Sequence, residues 1–562
     1  ESPVAQYPDA VRTSLYVPVR DGTRLAVNIY RPATGQTPAA EKMPAIFVAT
    51  PYRARYRGDD GTVADMTDDD HLALKTLLGA GYVVAVADIR GKGASFGTRR
   101  GFQDRTEAMD SHDLIEWLAR QDYTTGKVGM VGCSYLGGTA FQAATTAPPS
   151  LKAAFVGSSD LDKYSFVRRG GITAQFNTRP DEPPEVDLAS IPVDGDADGS
   201  QLRAAVAQHA GNTPMGALWY GMPYRDSISQ FTGNPFWEEV AVYSYLDRIR
   251  NAGIATYFWG NWHDEPTAQT ILSAANMPGS RLLVGPGDHC VPPPGIDFAK
   301  EIRRFFDLHL KGIDNGMKAD PRAKFMVENK GWMQSDRLPG AFAAAVPLYL
   351  AGGKSGAARS VNDGTLLPTP SEEGNDRFTV DYDVPDSEYF AFWAPPMAEH
   401  GLSYTTEPLN SPMTLVGYPV IHLPVSSSTP DANVFVYLDQ IDSAGKEDVI
   451  SFGRLALSHR KTGKAPFDTM GLPWHSGMKA DVAPLPVGQK ADLSLDLTPV
   501  SRVVPAGHRL RVTVTGADPR QRNLAEIRQD PAPVLTVWRG GDARSARINL
   551  PVADPAAMEP LD

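Results

Sequence analysis

Three side chains in this sequence have the types and the order that acyl transfer requires. Ser134 stands between glycines in Gly132-Cys133-Ser134-Tyr135-Leu136-Gly137, directly after the β-prone run 127–131. A nucleophilic serine on a sharp strand-to-helix turn needs such neighbours, because a side chain at Gly132 or Gly137 would collide with adjacent backbone. The competing reading is a glycine-rich turn whose serine merely caps a helix. A serine hydroxyl is a weak nucleophile until an imidazole takes its proton, and the imidazole needs a carboxylate to fix its tautomer. On a turn of this kind the partners follow in the order acid, then histidine, each in a loop after a later strand. Asn261-Trp262-His263-Asp264-Glu265 follows the apolar run 254–260, and Gly287-Asp288-His289-Cys290 follows the run 281–286. Asp264 therefore reads as the orienting acid and His289 as the general base. Asp288 is the rival acid, although consecutive side chains diverge, and Glu265 has a similar problem of direction. His263 as base would leave no acid upstream in the required order.

The tetrahedral oxyanion needs donors where its charge develops. The N–H of Tyr135, directly after the nucleophile, is one. The other is expected from the loop after the strand run 45–50, where Pro51-Tyr52-Arg53 offers the Tyr52 hydroxyl. The implied reaction is hydrolysis of a small-molecule ester, or of an amide, through an acyl-enzyme, and it calls for no metal and no cofactor. An amidase, peptidase or β-lactam acylase would use the same residues. A carbohydrate-binding protein with a vestigial hydrolase core is the reading from another class.

These groups need a scaffold, and the chain supplies one. Residues 15–19 and 24–30 alternate around Asp21-Gly22 as a hairpin. Continuous apolar runs at 45–50, 82–88, 127–133, 153–157, 254–260 and 281–286 alternate with helical patterns near 71–78 and 107–121, which implies a parallel sheet covered on both faces. A last helix, 299–310, is expected to close that domain. Between 158 and 240 the strand rhythm stops, and helical pieces such as 201–209, an acidic loop at 181–200 and several aromatics read as a cap roofing the crevice. Trp219 and Tyr220 are candidate substrate contacts. Arg168 and Arg169 open the cap and could pair with an acidic substrate group, surface solvation being the alternative. From about 342 onward short alternating runs indicate a β-sandwich of about two hundred residues. The expected division is 1–157 and 241–341 for an α/β core, 158–240 for a helical cap and 342–562 for the sandwich.

Length and charge narrow the partners. The 562 residues suggest two to four domains, and 42% hydrophobic with 21% charged residues is ordinary globular composition. A net charge of −12 argues against nucleic acid and anionic membranes as partners; the oligomeric state is not legible. The start at Glu1-Ser2-Pro3-Val4-Ala5-Gln6 reads as that of a mature exported protein, secreted or periplasmic, with a cytoplasmic protein as the alternative.

Several stretches together resemble the family that includes cocaine esterase, α-amino acid ester hydrolases, glutaryl acylases and X-Pro dipeptidyl-peptidases. They are Arg20-Asp21-Gly22, Thr50-Pro51-Tyr52, Asp88-Ile89-Arg90-Gly91-Lys92-Gly93-Ala94-Ser95-Phe96-Gly97, the Ser134 turn, and Gly507-His508-Arg509-Leu510-Arg511-Val512. The resemblance implies an α/β-hydrolase core, a helical cap and a C-terminal jelly roll, with Ser134, Asp264 and His289 as triad and Tyr52 as oxyanion donor. Amino acid ester hydrolases carry acids two and three residues beyond the catalytic aspartate for a substrate ammonium; Pro266 and Thr267 stand there in this chain. Asp160 and Asp162 could lie near the site, a solvated loop being the competing reading. The only two cysteines, Cys133 and Cys290, stand beside Ser134 and His289. If the serine and histidine loops converge, their neighbours come within disulfide reach. The Cys-Ser, Asp, His-Cys order also resembles tannases and feruloyl esterases, which implies a Cys133–Cys290 disulfide and an oxidising location.

Overall fold

Apolar runs buried on both faces become the centre of a large mixed sheet. In a computed structural model, which describes residues 6–521 and 527–561, its strands are β1 (Asp9–Pro18), β2 (Arg24–Thr34), β3 (Met43–Thr50), β4 (Val83–Asp88), β5 (Thr124–Cys133), β6 (Leu151–Gly157), β7 (Ala255–Asn261), β8 (Arg281–Gly285), β9 (Ala323–Val327) and β10 (Gly331–Ser335). The start at residues 1–5 lies outside the described residues. The spatial order is β1-β2-β4-β3-β5-β6-β7-β8-β9-β10. Neighbours from β4 to β9 pair in parallel, and the hairpins β1–β2 and β9–β10 are antiparallel. Every residue of β3 and β4 is buried, as a strand sandwiched between helix layers requires. The covering helices include α1 (Arg105–Ala119), α2 (Tyr135–Ala144) and α3 (Phe298–Lys311).

Two expectations need correction. The helix 299–310 does not close the domain, because β9 and β10 follow it, and Glu559–Pro560 returns from the far end of the chain to pair with β10. β9 alternates buried with half-buried positions, so it lacks the continuous apolar signal of the central strands. The helix near 71–78 is split: Asp70–Leu72 form a 3₁₀ turn, Ala73 takes φ 52°, and a helix runs only over Leu74–Gly79.

The motif stretches lock the sheet to the loops around the site. Asp21, in the β1–β2 turn, accepts from Arg90 Nη1 at 2.6 Å, and Arg90 Nε donates to Asp110 of α1 at 2.8 Å. Asp88, at the end of β4, accepts from the backbone N–H groups of Ala54 (2.7 Å) and Ala94 (2.9 Å). A Cβ at Gly93 would lie 2.3 Å from the Asp88 carboxyl carbon, so no larger residue fits there.

Between β6 and β7 the chain forms the cap, with short helices at Lys163–Val167, Ser200–His209, Met215–Tyr220 and Phe236–Glu239. Its own small core centres on Trp219 stacked against Trp237, ring centroids 5.3 Å apart. The acidic loop 181–200 is partly structural: Asp196 accepts from the N–H groups of Gln201 and Leu202, and Asp187 sits 2.9 Å from Nδ1 of buried His209. The C-terminal part is β-rich. Its strands, from Ala343–Ala351 to Arg547–Ala553, belong to one 13-stranded hydrogen-bonded network around a separate apolar core.

Candidate active site

β5 ends at Cys133 and α2 begins at Tyr135, so Ser134 alone makes the turn, at φ 60° and ψ −126°. Such a conformation is costly for a side-chain-bearing residue and persists only where the surroundings enforce it. Here they do: a Cβ at Gly132 would lie 2.3 Å from the Leu136 backbone, and one at Gly137 2.2 Å from the Gly157 carbonyl oxygen. The Ser134 N–H donates to that same carbonyl at 3.0 Å. Its hydroxyl makes no capping hydrogen bond to α2, against the reading of an ordinary capping serine.

Asp264, in the loop after β7, is fully buried at its side chain. Its Oδ2 lies 2.8 Å from His289 Nδ1 and accepts from Ser158 Oγ at 2.9 Å. A carboxylate on Nδ1 leaves Nε2 as the basic nitrogen. The rivals point elsewhere. Asp288 is exposed, Glu265 turns to Arg169, Arg454 and Arg520, and His263 pairs with Glu328 at 3.1 Å, a hydrogen bond that pushes its pKa up. The histidine loop is pinned twice. Asn261 Nδ2 donates to the carbonyls of Asp288 (2.7 Å) and Val291 (2.8 Å), and a disulfide joins Cys290 to Cys133 with their Cα atoms 5.9 Å apart.

The Tyr135 N–H is the first of α2 and has no intrahelical acceptor. Its side chain faces away: the hydroxyl donates to Glu107 Oε2 at 2.7 Å and accepts from Arg99 at 2.8 Å, while Gln103 holds the Tyr135 carbonyl at 2.8 Å. Tyr52 follows β3 and meets the Tyr135 ring edge-on, centroids 6.1 Å apart. It is 52% exposed and lines the cavity described below. Burial pushes its phenol up, opposed by Arg99 and by a hydrogen bond with Ser134, so the hydroxyl keeps its proton at neutral pH.

Burial also raises the Glu107 carboxyl from 4.5 to about 7, with Arg99 and the Tyr135 hydroxyl opposing. The folded protein then holds this proton where the unfolded chain has lost it, so its contribution to stability is full below pH 4.5 and declines as pH rises through about 7. Glu107→Gln keeps an acceptor for Tyr135 and is expected to remove that part of the decline. Melting temperatures of both proteins across this range check it; parallel curves would show that Glu107 does not titrate there.

A cavity of about 840 Å³ opens over Ser134 and His289, roofed by the cap. Tyr52, Tyr135 and Trp219 line it, whereas Arg168, Arg169 and Tyr220 do not. Arg168 is buried and donates to the Trp219 carbonyl at 3.0 Å, and Arg169 pairs with Glu265, so neither is on the substrate side and neither is a solvated surface residue. Asp160 and Asp162 form no solvated loop: both are buried, paired with Lys163 and Arg225 at 2.7 Å, and Asp160 lines the cavity while Asp162 does not. Sequence reasoning missed Ser158 and two cavity residues of different origin. Phe392, from the β-rich part, packs its ring 4.5 Å from that of His289; the aromatic run Phe390-Ala391-Phe392-Trp393 was the available signal. His71 also lines the cavity, and burial, with His289 beside it, pushes its imidazole down to about 4, so it is neutral at pH 7.

This architecture has relatives. A family model described as X-Pro dipeptidyl-peptidase (S15 family) matches residues 21–291, and one described as X-Pro dipeptidyl-peptidase C-terminal non-catalytic domain matches residues 315–524. A Mycobacterium bovis protein named "Putative serine esterase" is 28% identical, covering 97% of this chain and 95% of its own. The cocaine esterase of Rhodococcus sp. is 25% identical over 91% of each chain. The crystal structure of a CocE/NonD family hydrolase from Staphylococcus aureus shares the fold, with a TM-score of 0.74 at 19% identity over 97% of this chain and 94% of that one. With the S15 domain followed by that family's C-terminal domain, the chain belongs to the X-Pro dipeptidyl-peptidase and cocaine esterase family of α/β-hydrolases and is a serine hydrolase.

Proposed function

We propose that this chain hydrolyses carboxylic esters of small molecules through an acyl-enzyme on Ser134. The observation that carries the reading is the 2.8 Å contact of His289 Nδ1 with buried Asp264, in a cavity that His289 shares with the strained Ser134 turn. Ser134 Oγ attacks the ester carbonyl as His289 Nε2 takes its proton. The Tyr135 N–H and the Tyr52 hydroxyl hold the oxyanion, and the C–O bond breaks as the imidazolium protonates the departing alcohol. Water then repeats the sequence on the acyl-enzyme and releases the acid. The match to X-Pro dipeptidyl-peptidases favours a second reading, amide or peptide cleavage by the same residues. Esters rank first because an alkoxide leaves more easily than an amine. Turnover of matched ester and amide substrates separates the two, and faster amide cleavage would reverse the ranking. The Cys133–Cys290 disulfide supports an oxidising setting, secreted or periplasmic.

Tyr52→Phe removes one oxyanion donor and leaves the ring in place. Its kcat is expected to fall by ~10²–10³ with KM nearly unchanged. Steady-state kinetics on one ester decide it; an unaltered kcat would assign the second donor to a backbone amide.

A further inference from the structure

We propose that Ser158 is a positioning residue for acyl transfer on Ser134: its hydroxyl fixes the Asp264 carboxylate and draws off part of its charge, and so sets how readily His289 takes the serine proton. The inference rests on the acyl-enzyme reading above. A carboxylate can only accept, so in the 2.9 Å contact the Ser158 Oγ–H is the donor. It donates to Oδ2, the oxygen that also faces His289 Nδ1 at 2.8 Å. Oδ1 is buried and has no hydrogen-bond partner among the described residues. The carboxylate, its side chain fully buried, is therefore held by two bonds on one oxygen, and of the two donors only Ser158 stands outside the triad.

The backbone delivers this hydroxyl at a cost. Gly157 ends β6 between Cys133 of β5 and Trp259 of β7. Its carbonyl accepts from the Ser134 N–H at 3.0 Å, and the next N–H, that of Ser158, donates to the Trp259 carbonyl at 2.9 Å. One dipeptide thus spaces the nucleophile turn from the strand that leads to Asp264. Ser158 itself takes φ 40°, a left-handed conformation that glycine adopts freely and a residue with a Cβ does not. The strained position carries a side chain, and that side chain ends on the acid.

A donor on the carboxylate favours its charged form and weakens its hold on an imidazolium. Arg169, from the cap, acts on Asp264 in the same sense, while Glu265 in the acid's own loop turns to Arg169, Arg454 and Arg520. Beside His289 stand the uncharged Phe392 ring and His71, whose imidazole burial pushes down to about 4; Asp288 is exposed. Truncating Ser158 leaves all of these groups in place. Without its hydroxyl the carboxylate holds the imidazolium more tightly, so His289 stays protonated to higher pH, and the acid loses one of the two bonds that orient it.

A fluorophosphonate tests this without a known substrate: Ser134 Oγ forms the P–O bond, the P–F bond breaks, fluoride leaves and His289 takes the proton. The second-order rate constant for labelling, read by mass across a pH series, should rise with pH to a plateau in the parent. In Ser158→Ala the midpoint of that rise should move up by roughly half to one pH unit, and the plateau should fall by ~10-fold. Ser158→Gly removes the same hydroxyl but relieves the strained φ, so it should reproduce both changes with a melting temperature no lower than the parent's. A midpoint that stays with the parent's in both variants would overturn the proposal even if the plateau falls, because displacement alone slows labelling without moving the titration. A parent that is not labelled at Ser134 would instead overturn the acyl-enzyme reading, and this inference with it.

Discussion

Ser134→Ala is expected to abolish ester turnover, with kcat falling by ~10⁶-fold and only a residual ~10³–10⁴-fold over water left from the oxyanion donors and binding. The size of the effect follows from the turn. Ser134 offers its hydroxyl from a strained φ 60° residue at the head of α2, in one cavity with His289. Alanine adopts the same backbone no worse than serine, and Ser134 makes no capping bond, so the fold and melting temperature should stay close to those of the parent. That separates loss of chemistry from loss of structure. A fluorophosphonate should add its mass to the parent chain at Ser134 and not to the variant. Turnover in the variant within tenfold of the parent would end the serine mechanism and leave the cavity as a binding site.

What the sequence made legible divides along physical lines. The central strands stood out because burial on both faces gives uninterrupted apolar runs, as in β3 and β4. Ser134, Asp264 and His289 were readable because their order and their places after strands are local properties of a chain. β9 and β10 escape the sequence reading because a half-buried strand keeps residues such as Lys324 in its pattern, and Lys324 answers to Glu301 and Asp320. Sequence alone offers two readings of Arg168 and Arg169, a pairing with an acidic substrate group or a solvated surface, because arginines in a loop usually meet water. Their burial depends on partners distant in sequence, among them Glu265, which no local pattern announces. The aromatic run around Phe392 shows in the sequence but its destination does not: only the docking of the β-rich part brings it against His289.

Removing the Cys133–Cys290 disulfide is expected to have the largest effect on stability and a further effect on turnover. The bond spans 157 residues, and opening a loop of that length lowers stability by up to about 5 kcal/mol in the chain-entropy model. Denaturant unfolding of the Cys133→Ala/Cys290→Ala variant measures this, with an unchanged m-value identifying a change in stability alone. Catalysis should suffer separately, because Cys290 adjoins His289 and Cys133 adjoins Ser134, and a displacement of the base by about 1 Å can cost ~10²-fold. The Asn261 contacts to the Asp288 and Val291 carbonyls still hold the histidine loop after the disulfide is gone, so the site should loosen rather than collapse. The expected pattern is therefore a kcat lower by ~10²-fold with KM little changed, together with a much lower unfolding midpoint. Adding Asn261→Ala to the double variant should deepen the kcat loss beyond the product of the separate effects, since the two restraints act on one loop. Thiol titration of the denatured, unreduced parent tests the premise: two free thiols per chain would remove the clamp altogether, and an unaltered kcat in the double variant would reduce it to a purely stabilising bond.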